Sequence, residues 1–267
     1  MFRYEPIKGK LGLVVDEILS GGHKKAAGDI QNVMEESEVQ NYDIGTRLVM
    51  DDRVFRYCKA TEALRSCIGG LCAMSQIEEY THATASAAGT YEVTVLDVVA
   101  RVANWYAGGY IWIMDYAPAT TGIGELYRIK SSGIGDETSV TLTLEEPLKT
   151  RVPASTWVTI WASIYGQIQV TALPKASCVC YPLIEVANGS YFWGQTWGPC
   201  FVQCGYSPGQ YNNDREMYFK PDHYGCLPGS SIDFSSLGNV IPQRIGFLLP
   251  NTAIVGTDNL IMLQISP

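Results

Sequence analysis

The residues of this chain whose types could do chemistry are few and scattered. Asp222-His223 stands just before Cys226, and a base within hydrogen-bond reach of a thiol is what a cysteine nucleophile needs. The stretch is a Pro-, Gly- and Tyr-rich loop with no nucleophile motif around Cys226, so the expectation is a loop histidine, exposed or bonded to backbone. Cys178-x-Cys180, Cys200-x-x-x-Cys204 and Cys226 could ligate a metal, but structural zinc sites are built from C-x-x-C knuckles and neither pair has that spacing. On a strand, Cys178 and Cys180 share a face. With Cys200 and Cys204 across a sheet they could hold a metal or form a disulfide, and the default is buried thiols acting as small apolar groups. The carboxylate pairs Glu35-Glu36, Asp51-Asp52, Glu78-Glu79 and Glu145-Glu146 are neighbours in sequence. Glycosidase acids must instead face each other across a cleft, so these are expected in turns and on the surface. Gly122-x-Gly124 and Gly133-x-Gly135 lack a third glycine and a βαβ setting, so they signal turns and not nucleotide binding. The expectation is therefore a non-enzyme with no catalytic residues, no metal and no cofactor. One cluster remains. Tyr191, Phe192, Trp193 and Trp197 could offer rings to a sugar, or pack a sheet core or subunit contact, which makes Tyr191, Trp193 and Trp197 the candidate binding residues.

The elements that would carry these residues read as short strands of period two. Tyr91–Leu96, Gly108–Met114, Glu125–Lys130, Ser139–Leu144 and Trp157–Trp161 alternate apolar and polar, broken by glycines about every ten positions. That is the pattern of antiparallel sheet. Within Ile44–Tyr57 two short strand-like pieces flank Asp51-Asp52, which suits a tight turn. Asn188-Gly189 between hydrophobic runs predicts a hairpin on a type I′ turn. Arg244–Leu249 and Asn259–Ile265 predict two closing strands, and Glu216–Phe219 a short one within an irregular stretch at 205–235. Thr61 is expected to cap a short helix. The fold class is mainly β: antiparallel sandwich or barrel domains with an N-terminal arm or short helix. The expected organisation is an arm at 1–40, a β-rich domain at 41–173, and a second β-rich region at 174–267 beginning near Pro174.

Apolar residues make up 46% of the 267, charged residues 17%, and the net charge is −8. This is the composition of a folded chain, and a weakly charged one suits faces covered by neighbours. No Lys/Arg tract exists to neutralise phosphates, so neither nucleic acid nor an anionic membrane is an expected partner. No apolar run reaches spanning length. The N-terminus shows no signal-peptide pattern, which predicts synthesis in a reducing cytoplasm and thiols that are free at synthesis.

Three segments carry a resemblance. Gly45-Thr46-Arg47-Leu48-Val49-Met50-Asp51-Asp52-Arg53-Val54-Phe55-Arg56-Tyr57 resembles the opening of a family of tailed-phage virion structural proteins. Asn104-Trp105-Tyr106-Ala107-Gly108-Gly109-Tyr110 and Tyr127-Arg128-Ile129-Lys130-Ser131 resemble its middle, and Tyr191–Pro199 resembles its aromatic hairpin. The resemblance spans roughly residues 44–200. It implies a capsid decoration or cement protein on the phage head, made in the host cytoplasm and bound to the major capsid protein and to itself as a homo-oligomer, a trimer being one closed symmetric form. It also implies localisation to the virion surface. The alternative is a carbohydrate-binding or host-attachment module on the virion.

Overall fold

The computed structural model describes residues 3–7, 10–14, 31–72, 77–97, 99–114, 124–154, 156–170, 176–204, 215–219, 226–228, 242–249 and 258–267. The strands are β1 (Arg3–Ile7), β2 (Lys10–Val14), β3 (Arg47–Met50), β4 (Arg53–Lys59), β5 (Gly70–Cys72), β6 (Ile77–Ala83), β7 (Glu92–Leu96), β8 (Tyr110–Met114) and β9 (Gly124–Ser132). They continue with β10 (Ser139–Leu144), β11 (Thr156–Trp161), β12 (Ile168–Gln169), β13 (Cys178–Pro182), β14 (Tyr191–Gln203), β15 (Glu216–Tyr218), β16 (Leu227–Pro228), β17 (Arg244–Leu248) and β18 (Asp258–Gln264). The described residues contain no helix, and the sheets are antiparallel and curled. The mainly β fold class is therefore what the chain adopts.

Two compact units result. One holds β1–β5 and β12–β18; the other holds β6–β11. The boundaries fall between β5 and β6 and between β11 and β12, not near residue 174. The first unit is discontinuous because β4 pairs with β14, Lys59 facing Tyr191 and Phe55 facing Gln195. The sequence between these two strands contains all the strands of the second unit.

The second unit is a closed barrel in the order β10-β7-β6-β11-β8-β9. Its alternation has a simple cause. Val93, Val95, Ile111, Ile113, Val140 and Leu142 point inward and are buried, while their strand neighbours Thr94, Tyr110, Trp112 and Thr141 do not. Closure leaves no free sheet edge. Tyr106 is also buried, its hydroxyl donating to Asp97 Oδ2 at 2.8 Å, and Arg101 Nε lies 3.5 Å from the same oxygen.

In the first unit β14 is the hub, pairing with β4, β13 and β18. Thr196 is an extra residue in its ladder with β4: Gln195 faces Phe55, but Trp197 already faces Val54. The resulting bulge is satisfied locally. Gln195 Nε2 donates to the carbonyls of Trp197 (3.0 Å) and Pro199 (2.8 Å). Thr196 Oγ1 donates to the Ser266 carbonyl at 2.6 Å.

Several local expectations meet a different structure. Asn188-Gly189 does turn the chain, with Ser190 N–H donating to the Ala187 carbonyl, but only Gly189 has positive φ (+88°). That suits a type II turn and not type I′. The residue before the turn, Val186, bridges Leu64, so no two-residue hairpin forms there. Thr61 caps no helix; its N–H donates to the Ile168 carbonyl. Of the expected arm, β1 and β2 form a hairpin added to β3. Residues 31–41 are held on β14 by Gln31, whose Nε2 donates to the Tyr191 carbonyl at 2.8 Å.

Gly198 carries the tightest demand of the bulge. Its φ is +90°, and a Cβ there would come 2.4 Å from the Asp52 carbonyl oxygen in the β3–β4 turn. Gly198→Ala must both enter a left-handed conformation and displace backbone. The expected loss is about 2–4 kcal/mol, read as a lowered midpoint in urea denaturation, whereas Gly189→Ala, with open space around it, is expected to cost less.

Candidate functional site

The aromatic candidates lie on the hub strand. Trp193 is 2% exposed. Its indole Nε1 donates to the Gln31 carbonyl at 3.0 Å, and its ring packs 5.0 Å from Tyr57 and 5.1 Å from Tyr42, centroid to centroid. Tyr57 stacks on Tyr191 at 6.0 Å with an interplanar angle of 8°. Its hydroxyl donates to Gln31 Oε1 at 2.7 Å and accepts from Asn41 N–H at 3.1 Å. Burial pushes the Tyr57 phenol up to about 12, the Asn41 bond opposing it. Phe192 is fully buried, whereas Tyr191 and Trp197 are half-buried. These rings fasten residues 31–42 to β4 and β14, and Trp193 has no face left for a sugar.

The thiols divide into two sets. Cys204 and Cys226 form a disulfide, with Cα atoms 4.8 Å apart. Asp222 and His223, the other members of the thiol-nucleophile candidate, lie outside the described residues, as does His23; of His82 only the β6 backbone is described. A thiol committed to a disulfide is no nucleophile. Cys178, Cys180 and Cys200 are buried free thiols in the first unit. Cys58 and Cys180, on strands either side of β14, bring their Sγ atoms to 3.9 Å. They meet over Gly194, where a Cβ would lie 2.7 Å from Cys180 Sγ and 3.2 Å from Cys58 Sγ. Among the described residues no three His, Cys, Asp or Glu side chains group as metal ligands.

These thiols are also poor chemistry at neutral pH. Burial pushes Cys178 well above the ordinary value, with Cys180 adding to it. The bond with Cys58 and then burial do the same for Cys180. The reactive species is the thiolate, so both act as apolar packing. Three of the carboxylate pairs have structural roles: Glu36 Oε2 accepts the Ala187 N–H at 2.7 Å, Asp51-Asp52 forms the β3–β4 turn, and Glu145 pairs with Arg128 at 3.5 Å; the side chains of Glu78-Glu79 lie outside the described residues.

Rings reach solvent on the barrel and also at Phe201 of β14, which is 56% exposed. Tyr110, Trp112, Leu126 and Trp161 line a shallow depression on the barrel's outer face. Trp112 is 41% exposed and Tyr110 45%. Sequence reasoning placed these aromatics on strands without assigning them a face. The signal was present: in Trp157-Val158-Thr159-Ile160-Trp161 the aliphatic Val158 and Ile160 alternate with Trp157, Thr159 and Trp161, and a six-stranded barrel has room inside for Val and Ile but not for a file of tryptophans.

Comparison with protein-family models, with curated proteins and with solved structures finds no match.

Both raised thiols make stability fall with alkali. The folded state keeps Cys178 and Cys180 protonated, while the unfolded chain ionises them near the ordinary 9.0. Their contribution is whole below that pH and is lost as pH rises above it, at up to about 1.4 kcal/mol per pH unit for each group. Urea midpoints measured from pH 7.5 to 10.5 should hold level and then drop, and the drop should be shallower in Cys178→Ala.

Proposed function

We propose that this chain is a non-enzymatic virion structural protein, a capsid decoration or cement protein that binds and stabilises a phage head shell. What supports this is where the family-like segments lie. Gly45–Tyr57 forms β3, its turn and most of β4; Tyr191–Pro199 is the first part of β14, and the two pair residue against residue from Phe55–Gln195 to Tyr57–Trp193. Asn104–Tyr110 and Tyr127–Ser131 also join each other: Gly108 N–H donates to the Ile129 carbonyl, and Tyr110 faces Arg128. Segments more than a hundred residues apart thus come together as the framework of the first unit, and another pair as a wall of the barrel. Their side chains are spent on packing: Phe55, Tyr57, Tyr106 and Ile129 are fully buried.

The proposal places the protein on the major capsid protein of assembled heads, in several copies related by symmetry. Multiplicity would supply strength without a large contact per copy. The test is cosedimentation of the purified chain with heads that lack it and with unassembled capsid subunits. Saturable binding to heads alone, with heads disrupted at a higher temperature once coated, is the expected result. Equal binding to free subunits, or absence of the chain from purified particles by mass spectrometry, would overturn the assignment.

A further inference from the structure

β3 and β4 carry a juxtaposition that sheets normally avoid. Arg47 on β3 lies directly opposite Arg56 on β4, so both side chains leave the same face of the sheet. Like charges opposite each other across an antiparallel pair repel. No ion pair joins either arginine to a carboxylate among the described residues. In the connecting turn, Asp51 stands four residues from Arg47 and Asp52 four from Arg56. That is about 13 Å along extended strands, beyond the screening length of about 8 Å at physiological salt. Burial, and after it the charge of Arg56, lower the Arg47 guanidinium from its ordinary value.

Arg56 is also fixed in place. Its Nη1 donates to the Gly45 carbonyl at 3.3 Å and its Nη2 to the Pro267 carbonyl at 3.4 Å. The guanidinium carbon lies 5.8 Å from the centroid of the Tyr165 ring, which is 9% exposed. Three separate stretches of the first unit thus hold one fork. Its Nε is nonetheless buried with no acceptor. A buried donor left unpaired is unfavourable, and this one belongs to a cation. The place therefore lacks both an acceptor and negative charge. Arg47 and Arg56 are half-buried and not enclosed, so a small ligand can reach them. Guanidinium forks match oxyanions, and a dianion answers two positive charges where a single carboxylate answers one.

We propose that Arg47 and Arg56 bind a phosphate dianion, either free inorganic phosphate or the terminal group of a phosphomonoester. The oxyanion sits between the two forks, accepts from Arg47 and from the N–H groups of Arg56 that the carbonyls leave unused, and removes the repulsion across β3 and β4. The site lies within the first unit. It is distinct from Tyr191, Trp193 and Trp197 and does not depend on the capsid assignment.

The test uses the full chain, freed of phosphate by dialysis and held near pH 8, where phosphate is a dianion. Thermal melting and isothermal titration are run with millimolar sodium phosphate and with glucose 6-phosphate, against sodium chloride at matched ionic strength. A saturable rise in melting temperature beyond that in chloride is expected. Tighter binding of inorganic phosphate assigns the site to the free ion, and tighter binding of glucose 6-phosphate assigns it to a phosphomonoester. Arg47→Gln is expected to weaken binding about tenfold or more and, without phosphate, to melt higher than the parent chain because the repulsion is gone. Arg47→Lys, which keeps the charge and loses the fork, should bind between the two. Equal melting in phosphate and chloride would overturn the proposal, and so would phosphate binding that survives Arg47→Gln unchanged. Since no capsid is present, failure here leaves the shell-binding test standing, and the reverse holds too.

Discussion

The first unit depends on one long strand that pairs with three others. β14 runs for 13 residues and is covered by β4 along its first half, by β18 along its second, and by β13 at Gly194 and Gln195. To change partners midway it must twist, and the bulge at Thr196 with positive φ at Gly198 supplies the twist. The price is a cluster of backbone groups that no ladder can satisfy. Gln195, Thr196 and the C-terminal residues meet it, Ile265 N–H donating to the Thr196 carbonyl at 3.0 Å. Gly194 has a different task, leaving room for two sulfur atoms over the strand. A buried strand is held as much by what its glycines omit as by what its large residues fill.

That arrangement explains where the buried thiols and the aromatic cluster are placed. Cys58, Cys178, Cys180 and Cys200 lie within the first unit's core clusters, where a thiolate would be uncompensated charge in an apolar medium. Trp193 and Tyr57 bring their polar atoms to a single glutamine, so the cluster can be both aromatic and fully bonded. Gln31 is the pivot: it accepts from Tyr57 through its side chain and from Trp193 through its carbonyl. Residues that would be suggestive in a cleft become, around a hub strand, the means of fastening a neighbouring segment.

How much of this was legible from sequence follows the range of the interaction. The strands at 92–96, 110–114, 139–144, 156–161, 244–248 and 258–264 could be read directly, because each has a buried face whose period shows within a few residues. The Asp51-Asp52 turn was equally local. β6 escaped notice, since Ile77-Glu78-Glu79-Tyr80-Thr81-His82-Ala83 does not alternate cleanly. The pairing of β4 with β14 was illegible, because nothing near Lys59 announces a partner at Tyr191. The domain limits went with it, since they follow from that pairing. Asn188-Gly189 was read as a hairpin because the dipeptide specifies a turn; what the flanks pair with is decided elsewhere, by Leu64 and β4.

The two aromatic groups show the same limit from the functional side. Tyr191-Phe192-Trp193 and Tyr110-Ile111-Trp112 are nearly interchangeable as sequence, and β-propensity puts both on strands. One strand lies inside a sheet with neighbours above and below, so its aromatic face is core. The other is a barrel stave, and a closed barrel with a filled interior can bury only one face of each stave by its own means. Val158, Ile160, Ile111 and Ile113 take that interior, which leaves the larger rings outside. Part of their apolar area stays in water after folding, Trp112 being 41% and Tyr110 45% exposed, and at roughly 25 cal/mol per Å² that part remains available to a partner surface. Exposed aromatics on a stave are thus a consequence of barrel closure.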